Sequence, residues 1–90
     1  MKKVYRRVPH VLERNAGPDV LAMLPSDDEV NVISGPAAVA WDLLSEDVTL
    51  DELIEEIAAL YDRLARDVAP SIEGCMRDLT ARGLVEERHA

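Results

Sequence analysis

The residue types that most often carry catalysis or bind metals are few and widely spaced in this chain. The histidines, His10 and His89, are far apart, and neither belongs to an H-x-x-x-H or H-E-x-x-H motif. Two isolated histidines and one cysteine, Cys75, do not supply the ligand set of a zinc site. Apolar residues at helical spacing surround Cys75, so we expect a buried, inert thiol rather than a nucleophile. We therefore expect no metal, no cofactor and no catalytic activity in the chain itself.

Carboxylates at helical spacing are the second candidate for chemistry. Residues 42–62 contain eight acidic residues and no Lys or Arg, and Glu52 and Glu56 are one helical turn apart, as are Asp51 and Glu55. A catalytic pair needs unequal environments that separate its two pKa values, and nothing in the sequence predicts them. A solvated helix face near the positive end of the helix dipole is the simpler interpretation. The alternative is a docking face for a partner protein, formed by Glu52, Glu55 and Glu56.

Length and charge restrict the class of protein. Ninety residues form one domain, taken as 1–90, with a modest core, and the single cysteine excludes an internal disulfide. No apolar run has the length of a signal peptide or a membrane span, so we expect a cytoplasmic protein without a membrane partner. The net charge is −8, although residues 1–14 hold five Lys or Arg and one Glu. Duplex DNA would be repelled by the acidic middle of such a chain.

The hydrophobic pattern predicts three short strands followed by three helices. Polar turns separate the strands, and the apolar period changes from two to 3.6 after Gly35-Pro36. This order predicts an α+β domain in which the helices pack on one face of a three-stranded antiparallel sheet. The strands are expected at about 11–14, 20–25 and 29–34, and the helices at about 36–45, 50–62 and 67–82.

Several residues mark where the helices begin and end. Pro36 is expected at the first helical position of the first helix, where its missing N–H has no cost. Thr49 and Glu52 form a T-x-x-E capping box for the second helix. Gly83 is expected to end the third helix in a left-handed conformation, with Leu84 packing back on Leu79 in a Schellman motif.

Two residues of the third helix disfavour a regular helix. Pro70 is tolerable only if it falls within the first turn, where no intrahelical donor is lost. Gly74 costs about 0.5–1 kcal/mol relative to Ala in a helix interior. Either Gly74 is neutral drift on an exposed face, or another backbone approaches the helix there.

The spacing of several apolar residues resembles that of the PqqD-like family. The stretch "ISGPAAVAWDLLSEDVTLDELIEEIAALYD" contains the frame Ala38…Trp41-x-Leu43-Leu44, and "CMRDLTARGLVEE" contains Leu79-x-x-Arg82-Gly83-Leu84-Val85. Proteins of that family are the leader-recognition elements of pathways that make ribosomally synthesised, post-translationally modified peptides. The resemblance covers residues 29–85, and the first hairpin only by its layout. This chain has Cys75 where a Phe is common in the family, which implies a roomier pocket.

The resemblance implies a winged helix-turn-helix fold and a non-catalytic role. Members of the family bind the leader of a precursor peptide as an extra antiparallel strand on their third strand, in the cleft against the third helix. On this chain, the implied binding residues are Val30, Asn31, Val32, Ile33 and Ser34 of the strand, and Ile72, Cys75, Met76, Asp78, Leu79 and Arg82 of the helix. Ile72, Met76 and Leu79 are equally suited to a plain core position.

A stand-alone peptide-binding module is therefore the leading functional hypothesis. It would capture a leader peptide and present it to a separate enzyme, such as a protease or cyclase of a lasso-peptide pathway or a radical-dependent modifying enzyme. The alternative is a winged-helix DNA-binding regulator, because the order of elements is the same. The charges of the third helix disfavour that alternative, since Arg77 and Arg82 are offset by Glu73 and Asp78. We therefore expect no nucleic acid partner.

Overall fold

The structure is a computed structural model that describes residues 2–89 of the chain. Within these residues it contains six strands and three helices. The strands are β1 (Lys3–Arg7), β2 (Leu12–Ala16), β3 (Asp19–Met23), β4 (Asn31–Ile33), β5 (Val48–Thr49) and β6 (Val85–His89), and the helices are α1 (Pro36–Leu43), α2 (Leu50–Leu60) and α3 (Ala65–Ala81). The expected domain, 1–90, includes Met1 and Ala90, which lie outside the described residues.

The predicted α+β class is confirmed, and all six predicted elements are present. The predicted strands correspond to β2, β3 and β4, although the last is shorter than expected and has three residues. The predicted helices correspond to α1, α2 and α3, and α3 begins two residues earlier than expected, at Ala65. The prediction was incomplete because it omitted β1, β5 and β6. In the part of the chain that is described, no helix has the length and apolar character needed to cross a bilayer.

The omitted strands form an antiparallel sheet of their own, in the order β5-β1-β6. β1 runs along the whole of β6, with Tyr5 opposite Glu87 and Arg6 opposite Glu86. Opposite charges join these strands, since the Arg6 Nε lies 2.9 Å from a Glu86 carboxylate oxygen. The basic N-terminal segment is thus paired with acidic residues near the C-terminal end of the chain, which offsets its charge.

The other sheet has the order β2-β3-β4 and is also antiparallel. Gly17 and Pro18 form the two-residue loop between β2 and β3, and Gly17 has φ 65°, as the first position of a type II′ hairpin turn requires. Val20 and Ala22 of β3 and Ile33 of β4 are buried on the inner face of this sheet. β4 is an edge strand, and it leads directly into α1.

The predicted helix ends are confirmed in detail. Thr49 and Glu52 make both bonds of the capping box: the Glu52 N–H donates to Thr49 Oγ1 at 3.1 Å, and the Thr49 N–H donates to Glu52 Oε1 at 2.9 Å. At the end of α3, Gly83 has φ 78°, and the Leu84 N–H donates to the Leu79 carbonyl at 3.0 Å. The position of Pro70 differs from the expectation, because it is the sixth residue of α3 and lies in the second turn.

One buried cluster connects both sheets and all three helices. Trp41 is completely buried in this cluster, and its indole N–H donates to a Glu13 carboxylate oxygen at 2.8 Å. The other large, fully buried side chains are Ile33, Leu44, Leu53, Ile57, Ile72, Met76, Leu79 and Leu84. The core contains two aromatic rings, those of Trp41 and Tyr5, and its other side chains are aliphatic or Met; the three helices supply most of its members.

Candidate functional site

The outer edge of β4 presents backbone groups that no strand within residues 2–89 covers. Ala16 and Asp19 flank the hairpin loop and form a hydrogen-bonded pair, so hydrogen-bonded and non-hydrogen-bonded pairs alternate along β3 from there. The backbone groups of Leu21 then point to β2, while those of Val20 and Ala22 point to β4. Val32, which lies opposite Leu21, therefore directs its own N–H and C=O away from the sheet.

The C-terminal end of α3 reaches this edge through one arginine. The Nη1 of Arg82, which caps α3, donates to the Val32 carbonyl at 3.1 Å. The Nη2 of the same side chain lies 2.9 Å from a carboxylate oxygen of Asp78, one turn earlier on the helix. Asp78, Arg82 and Val32 thus form a connected rim where β4 and α3 meet. The resemblance implied these three residues as binding residues, but not the contacts that connect them.

The other strand residues of the predicted site divide between surface and core. The side chains of Val30 and Val32 are exposed, at 55% and 50%, and Ser34 is exposed as well. Asn31 is half-buried, and its Nδ2 donates to the Ala22 carbonyl at 3.4 Å. Ile33 is buried and packs in the core, so its side chain is not accessible to a peptide bound at the edge.

The helix residues of the predicted site divide in the same way. Ile72, Met76 and Leu79 are fully buried in the core cluster. Of the two roles considered for them, peptide contact and plain core, they occupy core positions. Cys75 is half-buried, and burial raises the pKa of its thiol, with a smaller contribution from the negative charge of Asp78. The thiol therefore stays protonated at neutral pH, as an unreactive cysteine does.

A feature that the sequence analysis missed lies on the outer face of the β2-β3-β4 sheet. Leu12, Val30 and Val32 are at least half exposed. They share this face with the partly exposed Leu21 and Met23. We call this surface the outer apolar face; an open groove of about 430 Å³ runs along it. The signal was present in the run Val20-Leu21-Ala22-Met23, because a strand that is apolar at every position has two faces to cover.

The predicted docking residues lie on a separate acidic groove. Glu52, Glu55 and Glu56 line an open groove of about 730 Å³ together with Asp51 of the first turn of α2 and Asp47 of the segment between α1 and β5. Glu52 also has a structural role, because it is part of the capping box of α2. The hydrogen bond from the Thr49 backbone N–H, and to a smaller extent that with the Thr49 side chain, holds the pKa of Glu52 below its ordinary value. Within residues 2–89, no group of three or more His, Cys, Asp or Glu side chains is arranged to hold a metal ion.

Comparison with known proteins adds no relative. The chain matches no protein-family model, no curated protein and no solved structure. The grounds for a functional assignment are therefore the open β4 edge, the residues around it and the resemblance of the sequence to the PqqD-like pattern.

Proposed function

We propose that this chain is a non-catalytic module that binds the leader of a ribosomally synthesised precursor peptide as an additional antiparallel strand on β4. The observation that carries the proposal is the outward N–H and C=O of Val32 at an edge strand. Edge strands of this kind are templates for pairing with another chain unless they are protected. Peptide-binding domains that act by strand addition obtain affinity from such backbone hydrogen bonds and specificity from neighbouring side chains.

The bound peptide would lie between β4 and the C-terminal end of α3. Its residue opposite Val32 would accept one hydrogen bond from the Val32 N–H and donate one to the Val32 carbonyl. That carbonyl also accepts from Arg82, so the guanidinium shares the oxygen with the peptide or moves aside. Asp78 and Arg82 would then border the peptide, and both are positioned to respond to charge on its side chains. Cys75 is the predicted pocket residue that remains partly accessible on α3.

The helices support the finer fold assignment within this proposal, a winged helix-turn-helix. α2 and α3 are joined by a short turn in which Asp62 has φ 53°, and the Arg63 N–H donates to the Ala58 carbonyl at 2.9 Å. These bonds make a Schellman ending that turns the chain sharply from α2 into α3. The β2–β3 hairpin would be the wing.

The test of strand addition compares two substitutions at one residue. V32A truncates the side chain and keeps the outward N–H, whereas V32P keeps three apolar side-chain carbons and removes that N–H; both variants keep the bonds between β4 and β3. The probe is the leader peptide of a precursor encoded next to this gene, followed by amide chemical shifts of the labelled protein. We expect shifts at residues 30–34 and 75–82, and binding at least tenfold weaker for V32P than for V32A.

Equal affinities of V32A and V32P would contradict strand addition. Saturable shifts with short duplex DNA, whose affinity falls steeply with salt, would favour the DNA-binding alternative instead.

The proposal also includes delivery of the bound leader to a separate protease, cyclase or radical-dependent enzyme. The acidic groove shares no residue with the β4 edge, which suits it to contact that enzyme while the leader is bound.

Docking through the acidic groove is tested with neutral isosteres. E55Q and E56Q remove one charge each and leave the capping box of α2 intact, whereas Glu52 is unsuitable because it caps the helix. We expect both variants to bind the leader normally and to support slower processing by the partner enzyme. E73Q, on the exposed part of α3, is the control for loss of one negative charge. If E73Q slows processing as much as E55Q does, the groove is not the docking surface.

A further inference from the structure

The outer apolar face is organised in rows that end at the open edge. Leu21 lies directly opposite Val32 across the β3–β4 pair, and Leu12 lies directly opposite Met23 across the β2–β3 pair. Val30 lines the groove together with Leu12, Leu21 and Met23. Side chains directly opposite each other in an antiparallel pair have Cβ atoms about 4.5–5.5 Å apart, so each pair forms an apolar strip. The Leu21–Val32 strip ends on β2 at Arg14, which lies opposite Leu21 and also lines the groove. The first strip reaches the edge at Val32, and the second lies in the same groove as Val30, which directly precedes β4.

A strand added to β4 extends these rows by one residue each. The peptide residue opposite Val32 projects from the same face as Val32, because directly paired residues share a face of the sheet. The residues on either side of it project to the opposite face, toward α3. In an antiparallel addition, the residue opposite Val30 is two positions further toward the C-terminus of the peptide. The outer alternation of the peptide is thus set by the register of β4.

We infer that the peptide bound at β4 carries apolar side chains at these two outward positions, as Φ-x-Φ, with the larger one second. This inference rests on the proposed function and specifies the chemistry of its ligand. Val32 and Val30 are half exposed without a ligand, and an apolar neighbour on each of them removes that surface from water. The second position is the larger because a long or aromatic side chain laid across Val30 reaches the groove, which is about 430 Å³ in volume.

The opposite alternation meets different chemistry. The side chains that flank the first outward residue face the rim formed by Asp78 and Arg82, an ion pair with an N–O distance of 2.9 Å. Polar side chains are therefore accepted on that side, while a charged side chain opposite Val32 would gain no partner and would be desolvated by the valines. The ligand is an amphipathic strand whose apolar side lies on the outer face of the sheet rather than against α3.

The test uses a displayed library of random twelve-residue peptides selected against the intact protein. Selected peptides are expected to share the Φ-x-Φ pattern, and the affinity of a synthetic copy is measured for protein variants. V30S and M23S each alter the outer apolar face, and we expect each to weaken binding about five- to tenfold. L60S is the matched control, because Leu60 on α2 is an exposed leucine that lies off this sheet. V32P reports whether the peptide pairs with β4 at all.

The outcomes separate this inference from the proposed function. If V32P abolishes binding while V30S and M23S bind as tightly as the wild-type protein, the peptide adds to β4 but the outer apolar face does not select it. The inference is then wrong and the proposed function stands. If no selected peptide depends on the Val32 N–H, strand addition fails, and the inference fails with it. Circular dichroism of each variant verifies that the fold is retained.

Discussion

The guanidinium of Arg7 lies over the indole ring of Trp41, 4.5 Å from its centroid, and donates to the carbonyl oxygen of the same residue. Its Nε and Nη2 approach that oxygen at 3.0 Å and 2.6 Å, while Nη1 contacts a Glu13 carboxylate oxygen at 2.6 Å. The Trp41 carbonyl belongs to the last turn of α1, where a positive charge is favourable. One side chain of β1 therefore joins the C-terminal end of α1 to β2 of the other sheet.

Replacing this arginine with lysine is expected to destabilise the protein. R7K keeps the charge but loses the planar fork that contacts Trp41 and Glu13 together, a loss of about 1–2 kcal/mol in the free energy of unfolding. The control is R6K on the same strand, because the side chain of Arg6 is 43% exposed and that of Arg7 is 19% exposed. Urea unfolding followed by circular dichroism measures both. Equal losses for R6K and R7K would show that the stacked arginine has no special role.

The elements that the sequence predicts well are those with local causes. The capping box at Thr49 and the Schellman ending at Gly83 each depend on residues within one turn, so the order of neighbours is sufficient to locate them. β1 and β6 have no such cause. Their partners are more than 75 residues apart in sequence, and each strand is charged at most positions, with Tyr5 and Val85 as its buried members. Only the pairing of the two segments makes either one a strand.

The candidate site is predictable to a similar extent. The edge character of β4 and the rim residues Asp78 and Arg82 follow from the order of elements and the resemblance. Which side chains of α3 are buried does not follow, because apolar residues at helical spacing have the same pattern on a core face and on a pocket wall. The contact of Arg82 with the Val32 carbonyl is a tertiary feature that joins residues fifty positions apart.

Gly74 offers a test of the two interpretations of a glycine within α3. A Cβ added there would lie 3.9 Å from the Nη2 of Arg77, an ordinary van der Waals contact with a side chain, so no neighbouring backbone excludes it. G74A is expected to stabilise the protein by about 0.5–1 kcal/mol through helix propensity. G83A is the opposite case, since Gly83 has φ 78° and Ala there is expected to cost about 1 kcal/mol. Thermal unfolding measures both. A G74A variant that is stable but delivers leader poorly would show that a partner approaches the helix at Gly74.

Pro70 is expected to reduce the stability of α3. As the sixth residue of the helix, it cannot donate to the Arg66 carbonyl, which leaves that group without its usual intrahelical bond. P70A is therefore expected to raise the free energy of unfolding by about 1–3 kcal/mol. P36A removes a proline from the first position of α1, where no bond is lost, and is expected to be neutral or slightly destabilising. Equal effects of the two substitutions would contradict this assignment of Pro70.

Tyr5 is expected to make stability fall at alkaline pH. It is 4% exposed, its hydroxyl donates to a Glu87 carboxylate oxygen at 2.7 Å, and burial, followed by that hydrogen bond and the charge of Glu87, raises its pKa to about 12. A tyrosine in an unfolded chain has a pKa near 10. Because the folded protein holds this proton more tightly, the contribution is complete below about pH 10 and is lost as the pH rises toward about 12.

The measurement is the free energy of unfolding of the wild-type protein and Y5F between neutral pH and pH 12, the range set by that pKa. At neutral pH, Y5F is expected to be less stable by about 1 kcal/mol, because it lacks the hydrogen bond to Glu87. The difference should shrink as the pH rises above about 10. Tyr5 then ionises in the unfolded wild-type protein before it does so in the folded protein, which favours unfolding, and Y5F has no such group. Y61F, which alters the exposed tyrosine at the end of α2, controls for the general alkaline loss that lysines and charge repulsion cause. A difference between wild type and Y5F that stays constant to high pH would show that Glu87 and burial do not hold the Tyr5 proton in the folded state.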